Sequence, residues 1–581
     1  MGPRQVSESR THRWRAVAAV VFAFALVAAA CGDDEGEATS TTAAPAAQET
    51  TTTAGTGAAT TSAPSTTPAP PAGPQPFVMA VPGIPGTLMP NSYQAELSND
   101  TYPVFAGSLM RYKPLDDQTT LQGPEDLEGE IAESWVENPD GSITFTLRDA
   151  VSPYGNTVTS ADVKWSFDRM KEFDPITRFL FTVGSFDQDN LITVIDDKTF
   201  TVNVTQPNIL TLRTLNWYGT TIIDSTEALS HATSEDPWAN EWLEVNTAGF
   251  GPYYITEDGY VAGESIRAQA NPNYFRGVPF FDEVIMRAIP ESTNRLQVLE
   301  TGDIDYAEAL SFSEFVSLEN SGAGQAIRAP IANFDIIYLN FAFEPFADVR
   351  VREAISMALD REALLAAAYQ GVGLPAVSFL DRDLPGPKVP PEEEFKFDPE
   401  GAKALLSETA FADGFAFELV AHNGRPGPQA EPLAVLIKDQ LGVIGIDVTV
   451  NVVAASADFN AGRSLVDGNP PAFQAWLDTA TPIVPDTAYF SALTYGSGGL
   501  AINNRMGYAN DNVDKLTVDA LGLPNGAERD GRLLELAREL QETYPLIPLV
   551  ETVNTVTLGN DITGYYVVAT NRLYPHLFGR S

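Results

Sequence analysis

Cys31 is the only thiol among 581 residues, so the chain's one strong nucleophile stands alone. A thiol does acyl-transfer, redox or metal chemistry only with a base, a second thiol or further ligands at set spacing. None accompanies it. No Gly-Lys pair occurs, which excludes a phosphate-binding P-loop, and no Gly-x-Ser-x-Gly elbow is present. Beyond Cys31 the histidines are His231, His422 and His576. They are too far apart in sequence for ligand spacing, and each is expected to be solvated or singly bonded. Gly249-Phe250-Gly251 has two glycines of a dinucleotide loop, but Pro252 removes an amide that a phosphate would need. That stretch reads as a turn before a strand. The residues leave open only catalysis by scattered carboxylates or a Ser-Lys pair. No enzyme, metal site or cofactor is expected.

The surroundings of Cys31 give it a different use. Arg4, Arg10, Arg13 and Arg15 precede an uncharged run from Ala16 to Ala30. As a helix that run would reach only about 22 Å, short of a hydrocarbon core of roughly 30 Å. A basic flank, a short apolar core and small residues describe an export signal, not a membrane span. Leu26-Val27-Ala28-Ala29-Ala30-Cys31 resembles a bacterial lipobox, although the third position before the cysteine is Ala28 where Leu is usual. The resemblance implies cleavage before Cys31 and diacylation of its thiol. An ordinary secretory signal that happens to precede a cysteine is the alternative. The resemblance implies that residues 1–30 are a lipoprotein signal peptide. Residues 31–75, rich in Thr, Ala and Pro, lack apolar periodicity and are expected to form a disordered stalk.

From Pro76 onward the chain is too long for one core and suggests two or three domains. The net charge is −42, from 77 acidic against 35 basic residues. Such acidity argues against nucleic acid and against charge-driven binding to anionic lipid.

Strands and helices alternate along this body. Pro139-Asp140-Gly141 reads as the turn of a hairpin spanning Trp135 to Arg148, with Ile143, Phe145 and Leu147 on one face. Thr159 with Asp162 fits a helix start, followed by Val163, Ser166, Phe167 and Met170 on one side. Leu296 and Leu299 mark a helix stopped near Gly302, and Ile304 and Tyr306 begin a strand. Asp348 and Asp360 cap two successive helices. Phe417–Ala421, the helix of Leu433, Leu436 and Ile437, and the alternating Ile446, Val448, Val450 and Val452 form a βαβ unit. Such a unit demands a parallel pair with a right-handed crossover. Leu533, Leu536, Ala537 and Leu540 make a last helix, ended by Pro545. The fold class is mixed α/β with more than one sheet.

Several segments, in order, resemble the family 5 extracellular solute-binding proteins, the oligopeptide- and dipeptide-binding lipoproteins of ABC importers. They are Ile131-Ala-Glu-Ser-Trp135, Pro139-Asp-Gly141, Thr144-Phe-Thr-Leu-Arg148 and Thr159-Ser-Ala-Asp-Val163. Gly249-Phe-Gly-Pro-Tyr253, Asn271-Pro-Asn-Tyr274 and Phe346-Ala-Asp-Val-Arg-Val-Arg-Glu-Ala354 with Ala358-Leu-Asp-Arg361 follow. Gly507-Tyr-Ala-Asn510, Val513-Asp-Lys-Leu516, Ile547-Pro-Leu549 and Gly564-Tyr565 complete the series.

The resemblance implies a periplasmic-binding-protein-like II fold: two lobes, an extra subdomain, a hinge of two crossovers, and ligand in the interlobe cleft. Lobe one would comprise 76–110, 206–329 and 546–581, its extra subdomain 111–205, and lobe two 330–545. In peptide-binding members an aspartate shortly after a tryptophan meets the peptide ammonium. The matching stretch is Phe473-Gln-Ala-Trp476-Leu-Asp478. Asp478 is then a ligand anchor or a plain strand-end aspartate, and Trp476 a ligand wall or core packing. Tyr338 and Asn340, where the family crosses its hinge, line the cleft or pack the hinge. Gly249, Gly251, Arg350 and Arg352 are assigned to structure. The implied role is capture of short peptides and delivery to an ABC permease and ATPase complex. The protein would be an extracytoplasmic, monomeric receptor held to the cell membrane by its lipid. An oligosaccharide or other small solute is the alternative cargo, and a non-transport surface regulatory lipoprotein the alternative role.

Overall fold

A computed structural model describes residues 76–89, 101–115, 119–465, 469–497, 504–567 and 573–581. Cys31, the signal segment and the stalk lie outside the described residues. Among the described residues no helix is long and apolar enough to cross a membrane.

Three sheets organise the body. The first, eight-stranded, has the spatial order 325–329, 554–558, 306–307, 77–81, 283–288, 265–270, 253–254, with 260–261 also on 265–270. The second, six-stranded, runs 374–375, 547–551, 334–339, 475–480, 415–421, 446–452. The third is a four-stranded antiparallel sheet of 132–137, 143–147, 199–202 and 192–194. Helices pack on the first two sheets, and the fold is mixed α/β with two lobes.

Local signals explain most elements. The hairpin turns at Gly141, whose φ of +86° suits glycine, and its amide donates to the Asn138 carbonyl at 2.9 Å. Helix Ser160–Phe173 opens with a capping box, the Thr159 amide donating to Asp162 Oδ2 at 2.7 Å. Val163, Ser166, Phe167 and Met170 form its buried face. Asp348 and Asp360 cap their helices through the amides of Arg350 and Ala363, each at 3.0 Å. Strands Phe415–Ala421 and Ile446–Val452 are parallel, joined by helix Ala430–Val443. Gly251 abuts the Phe105 carbonyl so closely that a Cβ would lie 2.3 Å from it. Arg352 is buried and donates to the Tyr544 carbonyl at 2.8 Å.

Two segments cross between the first and second sheets. One leads from Ala329 to Phe334, the other from Glu551 to Asn554. The second crossing lies later than the helix stop at Pro545 suggests. Strand Ile547–Glu551, expected with lobe one, pairs antiparallel with Phe334–Leu339 in the second sheet. All five of its residues are buried, which only a central position satisfies. Pro548 is accommodated there by a break in register opposite Asp335 and Ile336. The crossovers are tied together: the Thr552 amide donates to the Asn333 carbonyl at 3.0 Å, and Asn333 Nδ2 donates to Thr552 Oγ1.

Candidate functional site

In the second sheet, strand Ala475–Ala480 lies between Phe334–Leu339 and Phe415–Ala421. It is antiparallel to the first and parallel to the second. The carboxyl ends of the parallel strands therefore share one edge, and the loops that leave them converge there, where α/β sheets bind their ligands. Asp478 is near the end of its strand. The loop after Ala421 brings Arg425 to it, and the helix Ser456–Gly462, after the neighbouring strand, brings Arg463.

Asp478 is 2% exposed, and both of its oxygens are engaged. Arg425 Nε donates to Oδ1 and Arg463 Nη1 to Oδ2. The Thr479 amide adds a bond to Oδ1 at 2.8 Å. Burial alone would raise this carboxyl, but Arg425 and Arg463 outweigh it and hold it below the usual carboxylate range. The arginines are held in turn. Arg425 Nη2 donates to the Thr479 carbonyl at 2.9 Å, and Arg463 Nε to Asn460 Oδ1 at 3.0 Å. The Arg463 guanidinium also sits over the Phe459 ring, 5.0 Å from its centroid.

Tyr338 and Trp476 are directly opposite residues in the ladder. Their rings stack at 5.2 Å and 14°. Trp476 is fully buried, and its indole N–H has no hydrogen-bond acceptor among the described residues. Burial, and then the charge of Asp478, pushes the Tyr338 phenol upward. Asn340 is turned elsewhere: Nδ2 donates to the carbonyls of Pro471 and Phe473 at 2.9 and 3.0 Å, and Oδ1 accepts from the Ala342 amide. The structure thus groups Asp478, Trp476 and Tyr338, and has Asn340 bracing the adjoining loop.

Sequence reasoning missed the arginines. Arg425, Arg463 and Arg505 come from three separate loops, and no local spacing connects them. Arg505 interacts electrostatically with Asp478, Arg463, Arg425 and Tyr338. His422 also departs from expectation. It is buried, with Nδ1 against the Val453 carbonyl at 2.8 Å and Nε2 against Ser456 Oγ at 3.0 Å, and it clasps the two loops.

Comparison with known proteins decides the family. The model of the bacterial extracellular solute-binding proteins, family 5, middle region, matches residues 126–501. The chain belongs to this family. It is accordingly a binding protein of ABC importers and not an enzyme. Among relatives of this solute-binding protein is a probable D,D-dipeptide-binding periplasmic protein of Escherichia coli. It is 28% identical, over 80% of this chain and 86% of the relative. A heme-binding protein A from Haemophilus influenzae is 26% identical, over 76% and 82%. The Helicobacter pylori periplasmic binding protein DppA, solved with the peptide STSA, superposes with a TM-score of 0.73. It is 20% identical and covers 87% of this chain and 98% of its own.

Proposed function

We propose that this solute-binding protein is a lipid-anchored extracytoplasmic receptor that captures short peptides and delivers them to the permease and ATPase of an ABC importer. Diacylated Cys31 holds it to the membrane, and residues 31–75 space the body from the surface. The first sheet is the core of lobe one, with the third sheet as its subdomain. The second sheet is the core of lobe two. Solute enters between the lobes, and closure follows because the closed state offers contacts the open one lacks. The receptor works as a monomer, with no bond made or broken.

The observation that carries this reading is the charged and aromatic cluster of Asp478, Tyr338 and Trp476 at the carboxyl edge of the second sheet. It combines a polar pole with an aromatic wall, the pairing a zwitterionic solute with side chains needs. The dipeptide- and peptide-binding relatives support the same cargo. One feature favours a second cargo in the same transport role: the Asp478 carboxylate already holds two guanidiniums, which suits another small solute as well.

Native mass spectrometry of the full-length lipoprotein, extracted in detergent from cells grown in rich medium, tests the proposal. A co-purifying ladder of short peptides is expected. A single non-peptide solute would transfer the role to that solute. Loss of membrane association in Cys31→Ser is expected; its persistence would remove the lipid anchor.

A further inference from the structure

Asp381 and Glu551 are carboxyls buried at a crossover, each 3% exposed. Glu551 ends the strand Ile547–Glu551, and the next residue, Thr552, makes the bonds to Asn333 that tie the two crossovers. The turn at 381–383 is fastened to this strand end. Arg382 Nε donates to Glu551 Oε2 at 2.8 Å. Its Nη2 donates to the carbonyl of Pro375, and the strand Leu374–Pro375 pairs with Glu551 and Val550. Asp381 flanks that arginine, and its Oδ1 accepts from the Asp383 amide at 2.8 Å. The remaining oxygens, Asp381 Oδ2 and Glu551 Oε1, are buried and have no donor among the described residues.

The other charged or titratable groups packed around this strand end are engaged elsewhere. Lys388 Nζ donates to the carbonyls of Arg382 and Leu384. Arg361, on the helix against the strand, donates to the Pro548 carbonyl at 2.8 Å, and Arg328 is paired with Glu319 at 2.8 Å. On the neighbouring strand Asp335 accepts from Tyr369 and Gln429, and Tyr495 Oη donates to the Phe379 carbonyl at 3.0 Å. Asp383 is half-buried beside Arg382 and adds a third negative charge to the turn.

An ionised carboxylate oxygen carries lone pairs only, so two of them cannot satisfy each other. Several buried carboxylates around one guanidinium also leave net negative charge in a poorly hydrated setting, which is costly. A single proton relieves both: the protonated carboxyl donates, and the charge falls by one. Burial raises both groups. The charge of Glu551 adds to the rise of Asp381, and Arg382 offsets only part of that of Glu551, which lies at about 7.

We propose that Asp381 and Glu551 form a proton-dependent clasp on the hinge. With one proton held by the pair, the 381–383 turn stays fastened to the second crossover. Without it the carboxylates repel, and the crossover loosens. A raised acid favours the clasped state below its free value, 4.5 for Glu551, and that contribution is lost as pH rises through about 7. On the reading of these crossovers as the hinge of a solute receptor, solute is held longer in mild acid and released faster above neutral pH.

Hydrogen exchange of the full-length protein in detergent, with no solute added, tests the clasp. Protection of the amides of 331–333 and 552–554, divided by the intrinsic pH dependence of exchange, is expected to fall about tenfold between pH 6 and pH 8, with the sheet centres unchanged. Glu551→Gln stays neutral and should flatten that profile. Asp381→Asn removes the like charge, so the midpoint should move down by at least about one pH unit. A flat profile in the wild type, a fall that survives in Glu551→Gln, or an unmoved midpoint in Asp381→Asn would each overturn the inference. None of these outcomes touches the identity of the cargo, which the co-purified solute decides.

Discussion

Arg213 and Asp486 form a buried ion pair, which on the proposed division of the chain joins the two lobes. Arg213 belongs to a short helix, Thr211–Thr214, packed against the helix Pro175–Val183, where Thr211 Oγ1 donates to the Gly184 carbonyl at 2.7 Å. Asp486 caps the helix Thr487–Thr494 that follows the central strand of the second sheet. Arg213 Nη1 donates to Asp486 Oδ2, and Arg529 Nη2 donates to both oxygens at 2.7 Å. Burial would raise the Asp486 carboxyl, but the two guanidiniums hold it low. Of the two ion pairs of Asp486, the one with Arg529 lies within lobe two and only the one with Arg213 spans the lobes.

Arg213→Met is therefore expected to act on closure rather than on folding. Asp486 remains paired with Arg529, so the cost is one charge-assisted bond, about 1.4 kcal/mol. Solute affinity falls by roughly tenfold. Calorimetry reads the affinity, and differential scanning calorimetry reads the solute-free melting temperature, which stays the same. A fall in melting temperature with unchanged affinity would make the pair a packing contact.

Asp478→Asn is expected to be destabilising, because it leaves Arg425 and Arg463 facing a neutral group. Removing one partner of a buried charge cluster costs about 3 kcal/mol. The folded pKa of Asp478 lies below the unfolded value of 3.8. Its stabilisation is thus complete above 3.8 and is lost as pH falls through the lower folded value. Urea titrations should show the gap between wild type and variant at pH 7, and its narrowing below pH 3.8. A gap that persists in acid would point to lost shape rather than lost charge.

Asp335 has the opposite sign. Burial is the main cause of its rise, the bonds from Tyr369 and Gln429 oppose it, and Asp478 adds to it, leaving the carboxyl at about 6. A raised acid favours the folded state below its unfolded pKa, and that contribution is lost as pH rises from 3.8 through about 6. Asp335→Asn removes the titration. The variant should gain on the wild type by up to about 3 kcal/mol between pH 4 and pH 8. Parallel pH profiles of melting temperature for the two proteins would rule this out.

Local rules made much of this fold legible. Thr159 with Asp162, Asp348 and Asp360 announce helix starts because a cap needs only neighbours in sequence. The βαβ unit from Phe415 to Val452 is readable because its periods change from two to 3.6 and back. Strand Ile547–Glu551 cannot be placed from sequence because a helix stop at Pro545 looks the same whether or not the chain then changes sheet. Asp478 and Trp476 came from a motif, which carries position but not partners. The guanidiniums that hold Asp478 arrive from the loops at 425 and 463, and only the three-dimensional convergence of strand ends brings them together.

The hinge offers a last measurement. Besides joining Thr552, the Asn333 side chain accepts from Thr479 Oγ1 at 2.5 Å and from Thr481 Oγ1. One amide thus joins both crossovers to the strand that carries Asp478. Asn333→Ala removes these side-chain bonds and keeps the backbone bond from the Thr552 amide. At about 1 kcal/mol for each of the three net bonds, the local opening cost should fall by roughly 3 kcal/mol. The backbone amides of 331–333 and 552–554 should then exchange hydrogen more than about tenfold faster, with the centres of both sheets unchanged. Solute release should quicken, because the lobes part about these segments. Unaltered exchange at both crossovers would show that their backbone alone sets the stiffness of the hinge.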